Sequence, residues 1–140
     1  MANELTYDNG LAVTLQYTIT NVGAGTTPVD GTLASGNGMT GYTVPTGYEF
    51  HALHLNVEYN DARTAGDSTV KVTSGGTELT GGPEAVIDAS NTTNANGSER
   101  PGADPIAAGN EVAVSATGDG SFAPTTADAD VILIGVLLPA

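Results

Sequence analysis

The sequence contains no cysteine and no tryptophan, and only three basic side chains, Arg63, Lys71 and Arg100, stand against 16 carboxylates. Each shortage closes off a class of function. Without cysteine there are no disulfides and no thiolate metal sites, and the redox compartment leaves no trace. A formal charge of −13 also argues against nucleic acid as a partner, because gripping a phosphate backbone by counterion release needs clustered Lys and Arg. Anionic membrane surfaces are excluded for the same reason. Long apolar runs are missing too. The longest, "VILIGVLLPA", falls far short of the roughly 20 residues a membrane helix needs. The opening "MANELTYDNGLAV" lacks the basic segment and the apolar core of about 7 to 15 residues that mark a secretory signal, so secretion by that route is not expected.

What is abundant is glycine, 19 in 140 residues, about twice the usual share of roughly 7%. Charged residues are scarce at 14%, against roughly 25% in ordinary domains. Most carboxylates therefore have no basic partner and are either solvated or cation-bound. Such an acid-rich, base-poor composition is that of proteins adapted to high salt, where the Debye length falls to about 3 Å at 1 M and self-repulsion is screened.

The length fits one domain. No segment keeps helical periodicity over three turns, and Gly or Pro interrupts nearly every window. "LAVTLQYTIT" alternates, with Leu11, Val13, Leu15, Tyr17 and Ile19 on one face. "STVKVTS" and "TELT" flank Gly75-Gly76, a two-residue hairpin signal. "EAVIDA" is a short strand, and "NEVAVSAT" alternates Val112 and Val114 against Glu111 and Ser115. "VILIGVLLP" is apolar on both faces, which predicts a central strand covered on both sides. The expectation is an all-β, two-sheet antiparallel β-sandwich, with jelly-roll topology preferred and an immunoglobulin-like sandwich the alternative. Residues 1–10 read as an N-terminal arm, and long polar loops are expected near 20–41, 89–105 and 117–129.

Little in the chain looks like chemistry. "GNGMTG", Gly36 to Gly41, matches G-x-G-x-x-G, but strand-forming residues and Pro45 follow where dinucleotide binding needs a helix. No G-x-S-x-G elbow accompanies the two histidines. Loop carboxylates Asp61, Asp67, Asp128 and Asp130 are the oxygen ligands a hard cation would use, without the spacing of an EF-hand. No cofactor is expected, and a divalent or monovalent cation is the one candidate ligand. Asn91 and Asn96 open glycosylation sequons, which polar loops also produce by chance.

"TVPTGYEFHALHLNVEYND", residues 43–61, holds both histidines. In a regular strand, residues three apart point to opposite faces, so His51 and His54 could not share an ion. The strand is not regular. Tyr48, Phe50 and Ala52 put the apolar face on even positions, and Leu53, Leu55, Val57 and Tyr59 put it on odd ones. A one-residue slip near Ala52 implies a β-bulge or a strand that bends between two sheets, and the slip aligns Glu49, His51, His54, Asn56 and Glu58 on one outer face. Zinc wants a third firm ligand and a second shell. The favoured reading is therefore a packing face against another protein subunit, with His51 and His54 as the minority metal candidates beside Asp128 and Asp130.

A strand opening on "VPTGY", followed by "HLNVEYND", the hairpin "STVKVTSGGTEL", then "AAGNEVAVSATGDGS" and a closing "ADVILIGVLLP", resembles the small jelly-roll decoration or cement proteins of tailed-virus heads and related virion surface proteins. The resemblance spans roughly residues 41–138 and lies in strand order and turn chemistry. It implies a virion structural protein without enzymatic activity, a homo-oligomer and commonly a trimer, seated on the major capsid protein or other virion proteins at the capsid surface. With the acidic composition it is similar to what a virus of halophilic archaea would encode. A carbohydrate-binding or adhesive module on the same sandwich is the other class, disfavoured because sugar platforms use exposed aromatic rings and this chain has five Tyr and no Trp.

Overall fold

The structure, a computed structural model, describes residues 10–34 and 39–140. Five long strands carry it: β1 (Leu11–Ile19), β5 (Tyr48–Tyr59), β6 (Ser68–Ser74), β10 (Glu111–Gly118) and β11 (Ala129–Pro139). Six shorter ones accompany them among the described residues: β2 (Val29–Asp30), β3 (Thr32–Leu33), β4 (Tyr42–Thr43), β7 (Thr77–Glu78), β8 (Glu84–Ile87) and β9 (Asn94–Ser98). There is no helix among the described residues. The first sheet runs β9-β5-β11-β1-β3. In the second, β10 pairs with β6; β2 and β4 share the far edge of β10, and β7 and β8 share the far edge of β6. Every pairing is antiparallel. The chain is thus an all-β sandwich of two antiparallel sheets.

Alternation explains the core. Tyr17, Ile19, Phe50, Leu55, Val57, Val131 and Leu133 project inward from the first sheet and meet Val70, Val72, Ile87, Val112 and Val114 of the second. Tyr17 ties the layers together: its hydroxyl donates to the Val112 carbonyl at 2.6 Å. Leu11 and Val13 keep the parity expected of β1; Val13 packs partly buried against the core, whereas Leu11 at the strand's start is exposed. The Gly75-Gly76 turn forms as its sequence predicts. Ser74 pairs with Thr77, and both glycines have positive φ, 58° and 87°, as a type I′ hairpin turn demands.

The long Gly/Thr-rich segment stitches one side of the sandwich. β2 lies on the second sheet and β3 on the first, and the chain crosses between them at Gly31, whose N–H donates to the Val114 carbonyl at 3.0 Å. A Cβ there would press on Val114 and Ile19. The opposite side is closed by β8 and β9, where Gly97 lies against the Glu84 carbonyl. Residues 94–98 correct the expectation of an uninterrupted loop over 89–105. They form an edge strand paired with β5 from Asn94↔Glu58 to Ser98↔His54. "NANGS" has poor strand propensity, so backbone pairing with a long, regular neighbour decides its conformation.

A second correction concerns β11. It is central, between β5 and β1, yet only its inward side is covered. Ile132 and Ile134 on the outer side are 37% exposed. The N-terminal arm before Gly10 and positions 36–38 of the glycine fingerprint lie outside the described residues. Where a nucleotide fold would start a helix after Gly41, the chain enters β4.

Candidate functional site

The slip in β5 is real and sits at Leu53. β11 pairs Ile134 with His54 and then Gly135 with Ala52, leaving Leu53 as the extra residue of a bulge. Burial changes parity there: Phe50 and Ala52 are buried before it, Leu55, Val57 and Tyr59 after it. Gly135 accommodates the bulge, since a Cβ at that position would strike the Phe50 ring and come within 2.6 Å of the His51 carbonyl oxygen.

The bulge places Glu49, His51, His54, Asn56 and Glu58 on the outer face of the first sheet, opposite Leu138, Val136, Ile134, Ile132 and Asp130 of β11 in that order. On β1, Ala12, Thr14, Gln16 and Thr18 continue the same rows. The face is therefore a stripe of four aliphatic side chains with polar flanks and acidic ends. His51 Nε2–H donates to Glu49 Oε2 at 2.7 Å, both side chains being a little over a quarter exposed. His54 Nδ1 shares a hydrogen bond with Ser98 Oγ at 3.1 Å. The two imidazoles are thus engaged with different partners.

At the other end Glu58 and Asp130 stand directly opposite one another, a like-charge cross-strand pair of the kind that weakens a pairing. Two shallow hollows flank this pair. One of about 330 Å³ is lined by Asn56, Asn94, Asn96, Glu58, Asp130 and Ile132; the other, about 390 Å³, lies toward Gln16, Thr18 and Ala34.

The remaining candidates fall elsewhere. Asp128 fastens loops: its carboxylate accepts from the Asn21 N–H at 3.0 Å, and its own N–H donates to Asn60 Oδ1 at 2.8 Å. It is not beside the histidines. The Asp67 N–H donates to Asp119, whose carboxyl is held below the usual range by the Ser121 N–H first, then by the Ser121 hydroxyl and that Asp67 N–H. The acidic turns are thereby knit by their own backbone. Among the described residues no three His, Asp or Glu side chains converge as a metal site. The Ser98–His54 pair has the first two members of a nucleophilic triad, but among the described residues no carboxylate bonds the other imidazole nitrogen.

No family model matches the chain, and no curated protein matches its sequence. Among solved structures it is similar to a chain described as "Cyanophage Pam1 capsid asymmetric unit", with a TM-score of 0.52 and 18% identity over 94% of this chain and 87% of that one. At that identity the likeness speaks for the fold, and it takes in nearly the whole sandwich.

Proposed function

We propose that this chain is a non-enzymatic structural protein of a virus particle, decorating or stabilising the capsid surface as a homo-oligomer, with three copies the expected number. The observation that carries the reading is the likeness of the whole sandwich to a chain of the cyanophage Pam1 capsid asymmetric unit. The apolar stripe on β11 supports it, because a run of aliphatic side chains on an outer sheet face is the mark of a surface that another protein covers. The partners are the major capsid protein or other virion proteins. Mass spectrometry of washed particles from the producing culture tests the reading, and absence of the chain from them overturns it. Its position in a density map of the particle separates head decoration from turret, tail or fibre. Sedimentation equilibrium in high salt reads the copy number, and a monomer at every concentration removes the oligomer.

A second reading, a carbohydrate-binding or adhesive surface module, draws on the hollow lined by Asn56, Asn94 and Asn96 beside Glu58 and Asp130. Amides and carboxylates of that kind hydrogen-bond sugar hydroxyls. A glycan array without reproducible binding eliminates it.

A further inference from the structure

We infer that the outer face of the first sheet docks a protein other than this chain, one that presents an apolar ridge with lysine or arginine at its rim. The two outer faces of the sandwich differ in kind. That of the second sheet is small and polar, with Thr69, Thr73, Ser115 and Thr117 around Lys71, whose ammonium is 3.0 Å from Glu78. That of the first sheet carries Ile132, Ile134, Val136 and Leu138 in line along its central strand. Apolar side chains in a row, partly exposed on an outer sheet face, gain from being covered by a partner.

Charge decides which partner. The stripe is acidic at both ends, with Glu58 and Asp130 at one and Glu49 at the other. A second copy laid face to face brings carboxylates together in either orientation, parallel or antiparallel. That repulsion grows as water leaves the interface. The basic side chains of a second copy are not placed to offset it: on this face His51 and His54 are already hydrogen-bonded to Glu49 and Ser98. None of its three Lys and Arg residues lies on a strand of the first sheet. Lys71 is held by Glu78, Arg100 by Glu84 at 2.9 Å, and the Arg63 Nε–H donates to the Gly66 carbonyl at 2.6 Å. A basic rim must therefore come from a different chain, and any self-association uses another surface.

The inference deepens the structural role proposed above by naming the chemistry of the partner, and its test reads the face separately from that role. The probe is p-benzoylphenylalanine placed at Ile134, or at Ile132 as a second site, with half-buried Thr117 on the outer face of the opposite sheet as the control. Light is applied to the whole producing culture, cells and particles together, so the outcome does not depend on the chain being in the particle. Circular dichroism verifies that each variant is folded. The expected result is an adduct from positions 134 and 132, absent from 117, to a peptide of a different protein with Lys or Arg beside apolar residues. The double reversal Glu58→Lys, Asp130→Lys should lower that adduct about ten-fold, as reversal of complementary interface charges does. Adducts from 134 and 132 solely to this chain, or no more adduct than from 117, overturn the inference. So does an adduct indifferent to the charge reversal. Absence of the chain from washed particles, by contrast, counts against the virion role and leaves the result at the face standing.

Discussion

Two buried tyrosines govern how the fold responds to alkali. Burial raises the Tyr17 phenol far above its ordinary value, with the Glu111 carboxylate adding to the shift. Tyr59 is pushed up to about 12, again by burial, with its bond to Ser68 Oγ partly opposing. Both phenols stay protonated in the folded chain at pH values where the unfolded chain would ionise them near 10. Above pH 10 the unfolded state therefore holds fewer protons than the native state, and stability falls as pH rises. The slope approaches about 1.4 kcal/mol per pH unit for each tyrosine. Denaturant midpoints between pH 9 and pH 12 should show this decline, and Tyr17→Phe should make it about half as steep. At neutral pH the same substitution should cost about 1 to 2 kcal/mol, because the Val112 carbonyl loses its buried donor. An unaltered alkaline slope in Tyr17→Phe removes Tyr17 from this account.

At the scale of the element, strand β9 and the β6–β7 hairpin test opposite causes of structure. Nothing lies within 4 Å of a Cβ built at Gly75 or Gly76, so substitution there acts through the backbone alone. Gly75→Asn should leave stability unchanged or raise it by about 0.5 kcal/mol, since Asn-Gly suits a type I′ turn and restricts the unfolded chain. Gly76→Ala should lower it by about 1 kcal/mol through its positive φ. Urea titrations giving the reverse order would contradict the turn assignment. Gly97 is constrained by space, with the Glu84 carbonyl where its Cβ would stand. Gly97→Val should force β9 from β8 at a cost of about 2 to 3 kcal/mol. Asn96→Thr, on the open face beside it, should stay within about 0.5 kcal/mol. Equal effects at 96 and 97 would mean that β9 does not pack on β8.

The same contrast shows what alternation makes legible. β1, β6 and β10 declare themselves by period two, β11 by its unbroken apolar run, and the parity break in β5 foretells both the bulge at Leu53 and the shared face of His51 and His54. β9 hides because Asn94, Ala95, Asn96, Gly97 and Ser98 have turn chemistry, and their conformation comes from pairing with residues 54–58, far away in sequence. Along β11 the pattern tells that both faces are apolar without telling what covers the second. For a chain folding alone, burial on both sides was the natural expectation; the outer row of Ile132 and Ile134 instead faces solvent. The acidic ends of that row were half visible, since Glu49 and Glu58 follow from the slip, whereas Asp130 joins Glu58 only through the register of β11.

For the whole molecule, the governing quantity is a formal charge of −13 carried by a 140-residue chain. Lys71 and Arg100 already sit among Glu78 and Glu84 on one edge of the sandwich, so most of the surface has no internal counter-charge. Self-repulsion then opposes the compact state more than the expanded one, and added salt relieves it. Screening is strongest as the Debye length falls from roughly 30 Å at 0.01 M to 3 Å at 1 M. We expect the melting temperature to rise steeply over that range in NaCl and to keep rising, more gently, to 2 M. Each 1 kcal/mol of relief is worth about 3 to 5 °C for a chain of this size. KCl should match NaCl at equal ionic strength, because screening ignores the identity of the monovalent cation. Sodium sulfate at the same ionic strength separates screening from the general strengthening of apolar burial by excluded salts: equal curves below about 0.5 M indicate screening, and a large early advantage for sulfate indicates exclusion. A melting temperature that stays flat from low salt to 2 M would show that this charge is tolerated without salt, and adaptation to a saline environment would have no support left in the composition.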